Sequence, residues 1–226
     1  MESETSDLIE RFDAAAPDHA RRRAGETSFR LQVRHARRAL EGAARLLDVG
    51  CGSGAAAAFL DRRPLHGCDR SPAMARAARA RGVRVTLADA AALPYRDGAF
   101  DGVLSLGLIE YLPDPAAALA EMRRVLAPGG RLVLSAPNPA APARRLMRLF
   151  PRRFDQDVAA PWPRRRLVEA VTAAGFGGVR VRTTNLAPWP GAPGVIARAL
   201  EPLAAVWPFS RAGTQTVLAA RAGERG

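Results

Sequence analysis

The chain shows two textures. Up to about residue 44, apolar positions are sparse and helically spaced among charges. Leu8, Ile9 and Phe12 share a face over Ser6 to Ala15, and Leu31, Val33 and Leu40 mark a second helix over Ser28 to Ala43. The stretch Pro17 to Glu26 reads as a polar link between them. From residue 45, short apolar runs alternate with helical ones. Strands are predicted at Leu46–Val49, Leu65–Cys68, Val83–Ala88, Phe100–Leu106, Arg131–Ser135, Val179–Thr183 and Thr216–Ala220. Helices are predicted at Ala55–Arg62, Pro72–Arg81, Pro115–Leu126 and Pro163–Ala174. Pro72 falls in a first turn, Asp114 at an N-cap and Gly175 just past a C-terminus. A turn is expected at Pro128-Gly129-Gly130.

Strand and helix alternating at this spacing predict an α/β fold, a mainly parallel sheet with helices on both faces. Right-handed crossovers then put a ligand crevice at the carboxyl ends of the strands. The expected organisation is a helical arm over residues 1–44 draped on one domain, 45–226. Two irregular insertions, about 139–163 and 185–213, serve as lids. A short basic helix is expected over Ala143 to Phe150.

Composition narrows the class. The 226 residues can bury a core unaided, and 48% apolar content excludes a wholly disordered chain. Two cysteines, Cys51 and Cys68, and three dispersed histidines give no disulfide scaffold or metal-ligand spacing. The acidic start and the lack of a long apolar run point to the cytoplasm. The net charge of +12 comes entirely from arginine, without any lysine. That pattern fits a GC-rich coding bias and weakens a nucleic-acid reading of the charge. Residues 139–182 hold ten arginines against three acids. A lid over an anionic acceptor, peripheral contact with an anionic membrane and a plain solvated helix all remain open there.

The sharpest chemical signal is Leu46-Leu47-Asp48-Val49-Gly50-Cys51-Gly52-Ser53-Gly54. A strand runs into three alternate glycines, which permit positive φ and let a ligand lie on the backbone. The helix beyond offers unpaired N–H groups. The third glycine comes one residue too early for the dinucleotide fingerprint. Asp69 ends the second strand, where a carboxylate can grip a ribose diol. Asp89 ends the third strand, twenty residues on. Three acids at successive strand ends suit a cationic nucleoside and repel a pyrophosphate.

These segments carry a family resemblance. Together with Gly67-Cys68-Asp69-Arg70-Ser71-Pro72-Ala73-Met74, Ala88–Tyr95, Phe100–Ser105 and Val125–Leu132, they resemble the class I S-adenosylmethionine-dependent methyltransferases, in the small-molecule branch that includes ubiquinone-type and type 11 domains. The resemblance implies a Rossmann-like seven-stranded sheet with its last strand antiparallel, and S-adenosylmethionine as cofactor. It implies that Gly50, Cys51, Gly52 and Gly54 hold the methionine part, with Asp48 beneath. Asp69 would take the ribose and Arg70 and Met74 would flank the adenine. Asp89 and Ala90 would meet the adenine edge, and Ser105 and Leu106 would border the methyl group. No metal is implied.

The family's histidine after the fourth strand is replaced here by Tyr111, in Ile109-Glu110-Tyr111-Leu112. Tyr111, Glu110 and His19 are the candidate bases, with wall, structural and loop roles as the competing readings. The expected reaction is O- or C-methylation of a small-molecule acceptor, lipophilic or anionic. RNA or protein methylation, or cofactor binding without turnover, are the alternatives. Ser105-Leu106-Gly107-Leu108 stands where base N-methyltransferases grip a flipped base with Asn/Asp-Pro-Pro-aromatic, which argues against that chemistry.

Overall fold

A computed structural model describes residues 2–60, 65–142, 162–185, 194–200, 202–203 and 212–223. The strands are β1 (Leu46–Val49), β2 (His66–Asp69), β3 (Arg84–Leu87), β4 (Phe100–Leu106), β5 (Leu126–Pro137), β6 (Phe176–Thr184) and β7 (Gln215–Ala222). The helices are α1 (Glu2–Gly25), α2 (Thr27–Ala39), α3 (Pro72–Arg79), α4 (Pro115–Val125), α5 (Arg164–Ala173) and α6 (Gly194–Leu200). The expected basic helix over Ala143 to Phe150 lies outside the described residues.

The seven strands form one sheet in the order β3-β2-β1-β4-β5-β7-β6. β1 pairs in parallel with β2 and β4, β2 with β3, and β4 with β5. β7 alone runs the other way, antiparallel to both β5 and β6. β1 is buried along its whole length because neighbours flank it on both sides and helices cover both faces. One core fills the face under α4 and α5, with Val103, Leu132, Leu134, Leu119 and Leu167. The other fills the face under α2 and α3, with Leu104, Val133, Phe29, Val33, Ala36 and Ala78. The strand order reverses around β1 and β4, which opens the crevice at their carboxyl ends.

Local signals set the helix starts. The Ser71 hydroxyl accepts from the Met74 N–H at 3.0 Å, and the Asp114 carboxylate accepts from the Ala117 N–H at 3.0 Å, each followed by a proline. Gly175, at φ 84°, follows α5.

Three expectations are corrected. Residues 17–25 are not a link: α1 runs unbroken from Glu2 to Gly25 through Pro17. An interior proline forfeits a hydrogen bond, but Ala16 and Ala20 are buried on either side of it, and that packing holds the helix together. The helix expected at Ala55–Arg62 begins as a short 3-10 turn, Ala55–Ala58. Pro128-Gly129-Gly130 does not end a segment. It is an irregularity inside β5, where the register against β4 jumps between Phe100 and Gly102.

Candidate cofactor and acceptor site

β1 delivers the loop 50–54 to the rim of the crevice. Gly50, Gly52 and Gly54 take φ of 71°, 53° and 75°, the left-handed region that a side chain disfavours. The N–H groups of Gly50 and Cys51 both donate to the Cys68 carbonyl, at 2.9 and 3.0 Å, tying the loop to β2. A Cβ on Gly50 would lie 2.9 Å from the Leu108 methyls, and one on Gly52 would lie 3.0 Å from the His19 ring. Gly54 serves differently. It packs on α3, with its absent Cβ 3.1 Å from Ala78.

Asp69, at the end of β2, accepts from the Gly52 N–H at 2.8 Å and the Ser71 N–H at 2.9 Å. One carboxylate thus fixes the glycine loop and the start of α3. Burial raises its pKa, and those N–H donors oppose the shift. Asp48 lies beneath the loop, 3% exposed. Burial, and then the charge of Asp69, push it up to about 7, while Arg23 pulls the other way. Burial also raises the Cys51 thiol, so it is an inert packing group.

α1 roofs the cleft. Phe12, Ala16, His19 and Arg23 recur at helical spacing. The Phe12 ring meets the edge of Tyr111 at 5.4 Å. His19 Nδ1 and the Ser53 hydroxyl are 2.8 Å apart. Burial, then Arg23, Arg22 and Arg81, lower His19 to about 4, so its imidazole is neutral. Asp13 takes a hydrogen bond from the Ser71 hydroxyl and another, at 3.0 Å, from the Ala73 N–H at the start of α3. The cavity beneath α1 is about 420 Å³, within the range of roughly 300–1,000 Å³ usual for ligand pockets.

Of the expected site residues, Asp48, Gly50, Cys51, Gly52, Asp69, Arg70, Ala90, Leu106, Glu110, Tyr111 and His19 line this cavity. Met74 does not: it is 1% exposed, on the inward face of α3. Ser105 is likewise 1% exposed, and strand alternation turns it away from the side that Leu106 presents. Asp89 sits at the rim, where it pairs with Arg70 at 3.2 Å and accepts from the Ala91 N–H at 2.9 Å. The acidic trio is therefore a pair, Asp48 and Asp69, plus a third carboxylate already partnered. Residues the sequence reading missed include Arg22, Arg23, Glu26, Phe29, Gln32 and Leu108, all lining the cavity. For Arg22 and Arg23 the α1 stripe was the signal, but Pro17 concealed it. Among the described residues, no group of three His, Cys, Asp or Glu is placed to hold a metal, and no helix is long and apolar enough to cross a membrane.

Residues 47–134 match a family described as a methyltransferase domain. Over that stretch the chain resembles a type 11 methyltransferase domain, of class I. Among known proteins, the demethylmenaquinone methyltransferase of Thermus thermophilus is 42% identical over 122 residues, which are 47% of this chain and 56% of that protein. A probable tRNA methyltransferase 9B of Mus musculus is 36% identical over 121 residues, 52% of this chain and 25% of that protein. The chain thus spans less than two thirds of the length of either relative. A solved SAM-dependent methyltransferase from Thermotoga maritima superposes with a TM-score of 0.74 at 22% identity, covering 95% of this chain and 99% of that one. At that identity the likeness establishes the fold. The glycine loop and Asp69 occupy the switch point where such a fold takes its nucleoside, and backbone clearance, buried acids and cavity all fit S-adenosylmethionine as cofactor.

Proposed function

We propose that the protein transfers a methyl group from S-adenosylmethionine to a small-molecule acceptor with a lipophilic body. The observation that carries this reading is the division of the cavity. Its floor, at the ends of β1 and β2, is polar and acidic, whereas Leu8, Ile9 and Phe12 of α1 and Leu108, Leu112 and Pro113 after β4 add apolar wall. The Asp69 side chain suits a ribose diol, and Asp48 suits the positive charge of a sulfonium compound. When bound, the cofactor supplies an electrophilic methyl carbon.

What the chain supplies is position and dryness. The glycine loop, free of side chains at Gly50 and Gly52, lets one reactant lie close to the backbone, and α1 closes over it with Phe12 and His19. Proximity and alignment of this kind contribute roughly 7–11 kcal/mol to a bimolecular transfer. Tyr111 and Glu110 follow β4 in a 3-10 turn and line the acceptor side. Either can hold or accept a proton from an acceptor hydroxyl or acidic carbon. His19, neutral and facing Ser53, is better placed to fasten the roof. Site residues proposed for the cofactor are Asp48, Gly50, Cys51, Gly52, Asp69, Arg70, Ala90 and Leu106, with Gly54 and Met74 supporting from behind.

The Thermus relative, named for a demethylmenaquinone, supports a lipophilic acceptor. The mouse relative, named for tRNA, and the net charge of +12 favour RNA as the second reading. Titration calorimetry is expected to show binding of S-adenosylmethionine and none of NAD. An acceptor screen reading S-adenosylhomocysteine release is expected to score with apolar hydroxylated or enolisable compounds. Release with tRNA alone would move the assignment to the second reading, and release with no acceptor would leave a binding domain.

A further inference from the structure

Gln32 stands on the inward side of α2 beside Phe29, Val33 and Ala36, and it is 2% exposed. A buried carboxamide costs free energy unless its hydrogen bonds are made. Here only part of that requirement is met. The Ser135 hydroxyl, fully buried near the end of β5, donates to Gln32 Oε1 at 2.7 Å. A carboxamide also carries two N–H donors. Among the described residues nothing accepts from Gln32 Nε2, and the residue lines the cavity. The bond to Ser135 thus orients an amide whose donor end is unspent.

The strand register extends this polar corner. Val217 faces α2, in one core with Phe29 and Val33. Ser135 pairs with Val217, and Gln215 pairs with both Pro137 and Thr184. Alternation along each strand then puts Ser135, Gln215 and Thr184 on that same face of the sheet. Gln215 also lines the cavity. The Thr184 hydroxyl is fully buried and has no partner among the described residues. Gln32, Ser135, Gln215 and Thr184 are all uncharged. In the sheet order β3-β2-β1-β4-β5-β7-β6 they stand beyond β4, on the far side from Asp69 and Ala90. The cavity therefore changes from acidic over β1 and β2 to uncharged and hydrogen-bonding over β5 and β7.

We infer that Gln32 sets the specificity of the acceptor site: its carboxamide N–H receives a neutral oxygen of the acceptor, a carbonyl or a hydroxyl, and Ser135 positions it. This assignment deepens the small-molecule reading above and rests on it. An N–H donor meets an oxygen lone pair, but it opposes the N–H groups of a protonated amine. One neutral amide also does too little to draw a carboxylate out of water. The acceptor is thus an apolar body bearing a neutral oxygen, rather than an amine or an acid.

Ligand-observed NMR on the full chain, saturated with S-adenosylhomocysteine, compares probes on one bicyclic frame: tetralin, 1-tetralone, 1-aminotetralin as its ammonium, and tetralin-1-carboxylate. The wild type is expected to bind the ketone about threefold to tenfold more tightly than tetralin, and both charged probes more weakly than the ketone. Gln32→Leu is expected to bring the ketone down to the level of tetralin, with tetralin and S-adenosylhomocysteine each unchanged within about twofold. Gln32→Glu is expected to reverse the preference towards the ammonium, and Ser135→Ala to weaken the ketone alone, by about twofold to threefold. A wild type that binds the ketone no better than tetralin overturns this inference alone. So does Gln32→Leu weakening S-adenosylhomocysteine along with the ketone, which would place the amide on the cofactor. Binding of S-adenosylhomocysteine but of no probe overturns the lipophilic-acceptor reading with it, and no binding of S-adenosylhomocysteine overturns the cofactor reading. The wild-type ranking needs no variant, so a misfolded mutant does not blur the result.

Discussion

The floor and the roof of the cleft are built by different means. In the floor, residues 48–54 and 69–71 are held by short N–H bonds to the Cys68 carbonyl and the Asp69 carboxylate, between neighbouring strands of one sheet. In the roof, α1 reaches its partners across long stretches of chain, His19 to Ser53 over 34 residues and Asp13 to Ala73 over 60. The floor shares the stability of the sheet. The roof depends on a few side chains and can open at lower free energy. On the proposed reading, the floor is the fixed platform for the cofactor and the roof is the part that lets it in and out.

The hardest blow to the floor is Gly50→Val. A β-branched side chain at φ 71°, with its Cβ 2.9 Å from Leu108, has no room. Cofactor affinity should fall more than about a hundredfold and stability by about 2–4 kcal/mol, read by calorimetry and urea unfolding. A variant that binds normally would show that the floor yields. Asp69→Ala should weaken S-adenosylmethionine about tenfold to a hundredfold, since the Gly52 and Ser71 N–H groups lose their acceptor along with the ribose.

Asp48 sharpens the contrast with the opposite sign. Its pKa is pushed up to about 7 in the fold from an ordinary 3.8, so the folded state holds the proton more tightly. Wild-type stability should therefore fall as pH rises from about 4 to about 7. Asp48→Asn should be more stable than wild type by about 1–3 kcal/mol at pH 8, and by less at pH 5, in urea titrations. No gain at pH 8 would mean the charge is already compensated in place.

The smallest effect belongs to the roof. His19 is lowered from 6.5 to about 4, so the unfolded or opened form takes the proton first. The hold of α1 should be complete above about pH 6.5 and decline as pH falls towards 4. Amide exchange in α1 should quicken in that window, while β1 and β4 stay protected. His19→Gln should flatten the dependence and change global stability by less than about 1 kcal/mol. Equal quickening in β1 and α1 would erase the distinction between floor and roof.

By itself, the sequence determined the strand order's raw material, the glycine loop, the Asp69 position and the caps at Ser71 and Asp114. Each rests on a short-range rule: alternation along a strand, a positive φ only glycine accepts, a side chain reaching an N–H three residues on. Tertiary structure alone decided that α1 crosses Pro17 and turns Phe12, His19 and Arg23 onto the cleft. It also buried Met74 and Ser105 away from the cleft and partnered Asp89 with Arg70. These outcomes depend on which surfaces meet across tens of residues, and burial can outweigh a local preference, as Ala16 and Ala20 do around the proline.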